Sequence, residues 1–263
     1  MHNGVIICTM VIYRFDGSFD GLLTAVFNSF ARKERPDALL SPDGDMPLFY
    51  DTLHEVETDL EKSTRVWKKL SVSISAGART ALMTAFLTDN SDFPLLALRF
   101  ISRAVTTSPS IENDFSDPAV LSVVKEGRRV RGEAHRLLQF VRFQKAVNGT
   151  YFSMVEPLFD VLPFAIKHFA DRFSDQPFII YDRVRDYGYH YDGKETKRIT
   201  LQSDSYHLST GRLSDELMDP DERLYQQLWR NYVRYTAITE RTNPRKQRQD
   251  MPVRYWKYLT EMQ

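Results

Sequence analysis

The hydrophobic periodicity of the chain changes character near residue 139, and that change limits the folds open to it. Upstream, apolar residues recur at three- and four-residue intervals. In SFDGLLTAVFNSF, Phe19, Leu22, Leu23, Val26, Phe27 and Phe30 have helical spacing, with Ser18 placed as N-cap. Thr58–Glu61, TDLE, has capping-box spacing and opens a helix carrying Val66, Trp67 and Leu70. Further helices are expected around Ala76–Leu87 and Phe93–Val105. Another opens at Asp117-Pro118 and runs to about Leu138. Downstream, QFVRFQKAVNGTYFSMVEP reads as two β-rich runs around Asn148-Gly149, a tight hairpin whose two central residues need positive φ. QPFIIYD and YGYHYD read as strands, with KRITLQ as another, and DVLPFAIKHFADRF as a helix capped by Asp160. A last long helix begins at DPDERL, capped by Asp219, with Leu224, Leu228, Tyr232 and Tyr235 as its buried stripe.

Near the N-terminus, VIICTMVIY reads as a strand at Val5–Tyr13, and ARKERPDALLSPDGDMP as an exposed loop. The whole specifies an α+β fold, with a mostly helical N-terminal half. The C-terminal half carries an antiparallel sheet of four or five strands covered by helices. Polar TTSPSIENDFSDP, with two prolines, marks the internal boundary. It separates a helical region 1–112 from a sheet-containing region 113–263, unless the two form one continuous domain.

Composition narrows the function classes. Lys plus Arg, 35, equals Asp plus Glu, 35, so no overall field attracts polyanions and nucleic-acid contact requires a local patch. A hydrophobic share of 42% over 263 residues is enough for a substantial core. Cys8 is the single cysteine, which excludes an intramolecular disulfide, a multi-thiolate metal site and an iron–sulfur cluster held by this chain alone. VIICTMVIY lacks the basic flank and cleavage site of a signal peptide, and no segment has the run of about 18 apolar residues of a membrane span. A cytoplasmic protein that holds no metal or cofactor is expected.

EGRRVRGEAHRLLQFVRF places Arg128, Arg131 and His135 on one helical face, with Arg142 able to extend the strip. Such a strip either positions phosphates or is a solvated face in which Glu126 and Glu133 pair with Arg129 and Arg136. The turn YDRVRDYG either fixes itself through an Asp–Arg pair or presents Arg185 and Tyr187 to a ligand. His168, Asp182 and Glu133 are candidate acid–base groups, although no nucleophile, phosphate-loop or metal motif accompanies them. The tail NPRKQRQDMPVRYWKYL holds Arg245, Lys246, Arg248, Arg254 and Lys257 against a single acid, Asp250. Tyr255, Trp256 and Tyr258 could stack on unpaired bases, or Trp256 and Leu259 could dock the tail on the protein body.

Taken together, YRFDGSFDGLLTAVF, EGRRVRGEAHRLLQFVRFQ, VLPFAIKHFADRFSDQPFIIYD, YQQLWRNY and NPRKQRQDMPVRYWKYLTE resemble a bacterial family assigned to DNA metabolism or DNA repair. The similarity runs from about Tyr13 to the C-terminus. The resemblance implies a role with DNA beside a radical-SAM iron–sulfur protein, whose gene typically lies adjacent. Some family members are fused to a uracil-DNA-glycosylase-like domain. Here the tail motif ends at the last residues and no GQDPY motif occurs, so such a domain is expected in trans if it takes part. The family pattern starts near VIYRFDGSF, which marks Met10 as the expected start and residues 1–9 as an extension.

The leading expectation is a DNA-binding accessory protein that acts with a radical-SAM partner and without a membrane. Its contacts would be Arg128, Arg131, His135, Arg142, Arg185, Arg245, Lys246, Arg254, Tyr255, Trp256 and Lys257. The alternatives are an enzyme acting on damaged bases through His168, Asp182 or Glu133, and a protein-interaction subunit without DNA contact.

Overall fold

The computed structural model describes residues 10–107, 110–201 and 211–263. The start of the first predicted strand, Cys8, and the final residue of KRITLQ lie outside them. The chain divides into two compact units, residues 1–131 and 132–263, and the division falls within a helix downstream of the polar Thr106–Pro118 segment.

In the N-terminal unit β1 (Val11–Phe15) lies between β2 (Ala38–Leu40) and β3 (Thr52–Val56), and both pairings are parallel. Ile12, Tyr13 and Phe15 are buried, as a central parallel strand requires. α1 (Phe19–Arg32) links β1 to β2, and the Ser18 hydroxyl accepts from the Gly21 N–H at 2.8 Å, the expected cap. β2 lies inside the stretch expected to be an exposed loop, and β3 was not anticipated. Ala-Leu-Leu is too short to show alternation, and it becomes strand because β1 offers it a partner.

α2 (Leu60–Ser73) is capped by Asp59 rather than Thr58. The Asp59 carboxylate accepts from the Glu61 and Lys62 N–H groups, while the Thr58 hydroxyl donates to Asp16 at 2.7 Å. α3 (Ala76–Ala85) and α4 (Phe93–Thr106) close a core that includes Tyr13, Leu22, Leu70, Leu82, Phe93 and Phe100. α5 (Pro118–Phe140) opens as predicted, with the Asp117 carboxylate accepting from the Ala119 N–H at 2.6 Å. It buries Val123, Val130 and Leu137.

The C-terminal unit holds a five-stranded sheet. Its order is β4 (Gln144–Lys145), β5 (Tyr151–Val155), β6 (Phe178–Asp182), β7 (Tyr187–Tyr191) and β8 (Thr196–Ile199). Neighbours are antiparallel except β5 and β6, which run parallel because α6 (Leu162–Arg172) returns the chain between them. One face of the sheet carries Phe152, Met154 and Tyr181, packed with Leu213 and Tyr258. The other carries Phe178 and Tyr191, and the ring of Phe143 contacts Phe178, Phe169 and Phe173.

Three local expectations fail here for physical reasons. At the β4–β5 turn Gly149 alone has positive φ (80°), and its N–H bonds the Ala146 carbonyl at 2.9 Å. The turn is thus a three-residue loop with glycine in the left-handed position. Asp160 does not cap α6, because its carboxylate accepts the Tyr187 hydroxyl instead. Asp219 does not cap α7 (Glu222–Thr236). Asp221 holds that position, and the Asp219 carboxylate binds the Asp221 N–H and the Lys145 ammonium, each at 3.0 Å.

Gly188 in β7 faces the backbone of β6. A Cβ there would lie 2.5 Å from the Ile180 carbonyl oxygen and 2.8 Å from the Tyr181 ring. Gly188→Ala is therefore expected to destabilise the protein by about 1–3 kcal/mol, read as a lower urea midpoint at unchanged m-value.

Candidate nucleic-acid interface

The basic aromatic tail folds as α8 (Pro244–Asp250) followed by short 3-10 segments at Val253–Tyr258 and Thr260–Met262. Tyr255 and Leu259 are buried and anchor it, while Trp256 is half-buried and donates its indole N–H to the Met251 carbonyl at 3.0 Å. The dominant anchor is Glu133, whose side chain is completely buried in α5. Its carboxylate accepts from Arg254 Nη2 at 2.5 Å, the Tyr255 hydroxyl at 2.7 Å and the Leu158 N–H at 2.9 Å, with Arg136 at 3.4 Å. Burial, joined by the Glu133 charge, drives the Tyr255 hydroxyl well above the usual phenol range, so the tyrosine stays a neutral donor.

The segment between β5 and α6 is the meeting point of these bonds. Glu156 accepts from Lys257 at 2.5 Å, from the Tyr258 hydroxyl at 2.7 Å and from Arg183 at 2.8 Å. Arg185 donates to the Pro157 and Leu158 carbonyls and pairs with Asp182 at 2.9 Å. Asp182 is completely buried at the end of β6 and also accepts from the Val184 and Arg185 N–H groups. Burial pushes its carboxyl upward against the pull of Arg185. Its hydrogen bonds shape the β6–β7 turn, where Asp186 takes a left-handed conformation (φ 55°) and accepts the Tyr181 hydroxyl at 2.6 Å.

Of the acid–base candidates, Glu133 and Asp182 thus have their carboxylates committed to structural partners. His168 is exposed on α6 with its ring edge-on to Phe169. Among the described residues none of the three hydrogen-bonds another.

The predicted phosphate contacts separate into two groups. Arg142 pairs with Glu261 at 2.6 Å, Arg185 with Asp182, Arg254 with Glu133, Lys257 with Glu156, and Lys246 with Asp250 at 2.8 Å. Arg128, Arg131, His135 and Arg245 are exposed and have no acidic partner among the described residues. Arg131 donates to the Gly127 carbonyl, and His135 shares a hydrogen bond with Gln139 at 3.0 Å. Arg129 and Arg136 do pair with Glu126 and Glu133, but both acids are buried, so the pairs do not form the solvated face that was expected with them.

α7 holds what the sequence reading misplaced. Leu224, Leu228, Tyr232 and Tyr235, predicted as its buried stripe, are 55%, 53%, 60% and 83% exposed. Tyr225 and Trp229 join them on the outward side. Glu222, Gln226 and Val233 instead face the protein body, and Trp229 donates to Glu261 at 2.9 Å beneath the Arg142 guanidinium. Trp229 and Tyr232 stack with centroids 5.6 Å apart at 24°. The side chains of Arg230, Arg234, Arg241, Arg245 and Arg248 have no hydrogen-bonded or ion-pair partner among the described residues. Periodicity reveals that a helix has an apolar face, but not whether anything covers it.

The profile of a family described as a domain of unknown function, DUF4130, matches residues 91–261, more than half of the chain. The protein belongs to this family. The match begins just ahead of α4 and includes the Glu133 anchor, the sheet, α7 and the tail. No curated protein and no solved structure matches the sequence. Among the described residues no helix is long and apolar enough to cross a membrane.

Two outcomes follow from the tail geometry. Glu133→Ala leaves Arg254 half-buried without its counter-charge and frees the Leu158 N–H. It should cost about 3–5 kcal/mol and expose the tail to trypsin. The pH response has a defined sign. Burial disfavours ionisation of Glu156 and Glu261, yet Lys257 and Tyr258 on the first, and Arg142 and Trp229 on the second, outweigh it and hold both carboxyls below the ordinary value of 4.5. Their stabilising contribution is complete above that value and is lost as pH falls through the lower folded values. Tail docking, followed through Trp229 and Trp256 fluorescence, should therefore survive at pH 5 and release in more acidic solution.

Proposed function

We propose that this protein binds single-stranded DNA as an accessory factor in DNA metabolism, using the outward face of α7 and the cations of α7 and α8. The observation that carries the reading is the set of exposed rings on one helix, Tyr225, Tyr232 and Tyr235, with arginines on the same helix that have no acidic partner among the described residues. Flat rings stack on unpaired bases with little sequence preference, and nearby guanidinium groups supply the phosphate attraction that a neutral chain otherwise lacks. Gln247 of α8 contacts Met262 at the end of the docked tail at 3.9 Å. Arg254, Tyr255 and Lys257 serve here as the fastening of the tail, and Arg245 remains as a phosphate contact. Engagement of Glu133 and Asp182 in structural bonds favours positioning over bond breaking. Chemistry on the DNA would come from a radical-SAM iron–sulfur partner, the arrangement implied by the family resemblance.

Fluorescence anisotropy with single- and double-stranded oligonucleotides across a salt series tests this. Single strands should bind more tightly, with affinity falling steeply as salt rises. Tyr232→Ala and Tyr235→Ala should each cost about 1–3 kcal/mol of binding, and Arg245→Ala should flatten the salt slope by about one. Binding that is absent at low salt, or indifferent to salt, rejects the proposal.

Leu224 and Leu228 favour a second reading, in which the same face docks a partner protein, because aliphatic side chains between rings add little to base stacking. Loss of a co-purifying partner in Leu228→Ala, together with unchanged DNA affinity in Tyr232→Ala, would select that reading.

A further inference from the structure

The N-terminal unit contains a cleft of about 1030 Å³ that plays no part in the nucleic-acid reading. Its walls are the C-terminal end of α1, the segment entering β2, one side of α4 and the first residues of α5. This volume has ample room for a nucleotide and is far larger than a single inorganic anion needs.

The charges around it are unequal in their freedom. Each lining carboxylate already has structural partners. Glu34 accepts the Tyr13 hydroxyl at 3.3 Å and lies 3.0 Å from His54, and Asp37 accepts the Val11 N–H at 2.9 Å. Asp117 caps α5 and pairs with Arg103. The lining cations Lys33, Arg35 and Arg99, in contrast, have no ion-pair or hydrogen-bond partner for their side chains among the described residues. The backbone of Lys33 is fixed, while its side chain is exposed. It closes α1 in a left-handed conformation (φ 57°), with its N–H on the Phe30 carbonyl at 3.2 Å.

The rest of the lining is suited to the remainder of a nucleotide. Phe30 offers a ring that is 45% exposed, and Leu96 adjoins the same cleft. The Ser102 hydroxyl lines it too, buried and without a hydrogen-bond partner among the described residues. The helical hydroxyls of Thr24, Ser73, Thr80, Thr84 and Thr106 all donate to the carbonyl four residues earlier, a bond Ser102 leaves unmade. A buried hydroxyl held out of its usual local bond is a polar group awaiting a partner.

We propose that this cleft is a binding site for a nucleoside monophosphate. Lys33, Arg35 and Arg99 hold the phosphate, Phe30 stacks against the base, and the Ser102 hydroxyl bonds the sugar or a base edge. Guanidinium forks match phosphate oxygens, and a ring in the same cleft separates a nucleotide from a bare anion. The site stands independently of DNA binding by α7.

Isothermal titration calorimetry of the full chain at low ionic strength tests it. The probes are AMP, GMP, CMP and UMP, with the matching nucleosides and inorganic phosphate as separate arms. At least one monophosphate should bind, more tightly than its nucleoside and than phosphate. Arg99→Ala and Arg35→Ala should each weaken it by about tenfold, the loss typical of one charge-assisted hydrogen bond. Both side chains lack partners, so these variants should fold with unchanged thermal midpoints. Ser102→Ala should weaken binding severalfold, and Tyr232→Ala should leave it untouched. The proposal is overturned if no monophosphate binds, if phosphate alone binds as tightly, or if Arg99→Ala retains full affinity.

Discussion

A single carboxylate, that of Glu133, determines where the C-terminal tail goes. An ionised group buried to this degree is tolerable only when surrounded by donors, and four converge on it: Arg254, Arg136, Tyr255 and the Leu158 amide. Two of these belong to the tail and one to the loop leaving β5, so meeting the needs of one acid fastens α5, the loop and the tail together. Glu156 repeats the device one strand-end away with Lys257, Tyr258 and Arg183. Tyrosine recurs at both places because its hydroxyl donates without adding charge, while its ring fills the apolar space beside the carboxylate.

This arrangement explains how a neutral chain divides its cations. Those of the tail's last turns neutralise buried or half-buried acids, which fixes their positions and consumes their field. Arg230 and Arg234 on α7, Arg245 and Arg248 on α8, and Lys33, Arg35 and Arg99 at the N-terminal cleft have no such neighbour among the described residues. Charge density in a linear stretch such as RQDMPVRYWKYLTE therefore misleads. Within this one tail Lys246, Arg254 and Lys257 are spent on ion pairs, whereas the side chains of Arg245 and Arg248 beside them have no partner among the described residues.

Much of the fold was legible because its signals are local. Ser18 and Asp117 cap their helices through bonds spanning two or three residues, and the apolar spacing of α1 and α5 reports their buried faces directly. Where long-range partners decide, residues alone did not suffice. Asp160 and Asp219 look like caps but are claimed by Tyr187 and Lys145. β2 is a strand by virtue of β1, and α7 reads as buried although its ringed face points outward. The docking of the tail was anticipated through Leu259. Its chief anchor, Tyr255, was not, since nothing near it in sequence reveals the acid 122 positions away.

The order of strands in the N-terminal sheet has a consequence for synthesis. β1 leaves the ribosome first, yet both of its neighbours come later, the second only with Thr52–Val56. Until then Ile12, Tyr13 and Phe15 form a sticky apolar ribbon with at least one hydrogen-bonding flank open, so the nascent chain passes through an interval of vulnerability to chaperone capture or misassociation that ends only when about forty further residues have been translated.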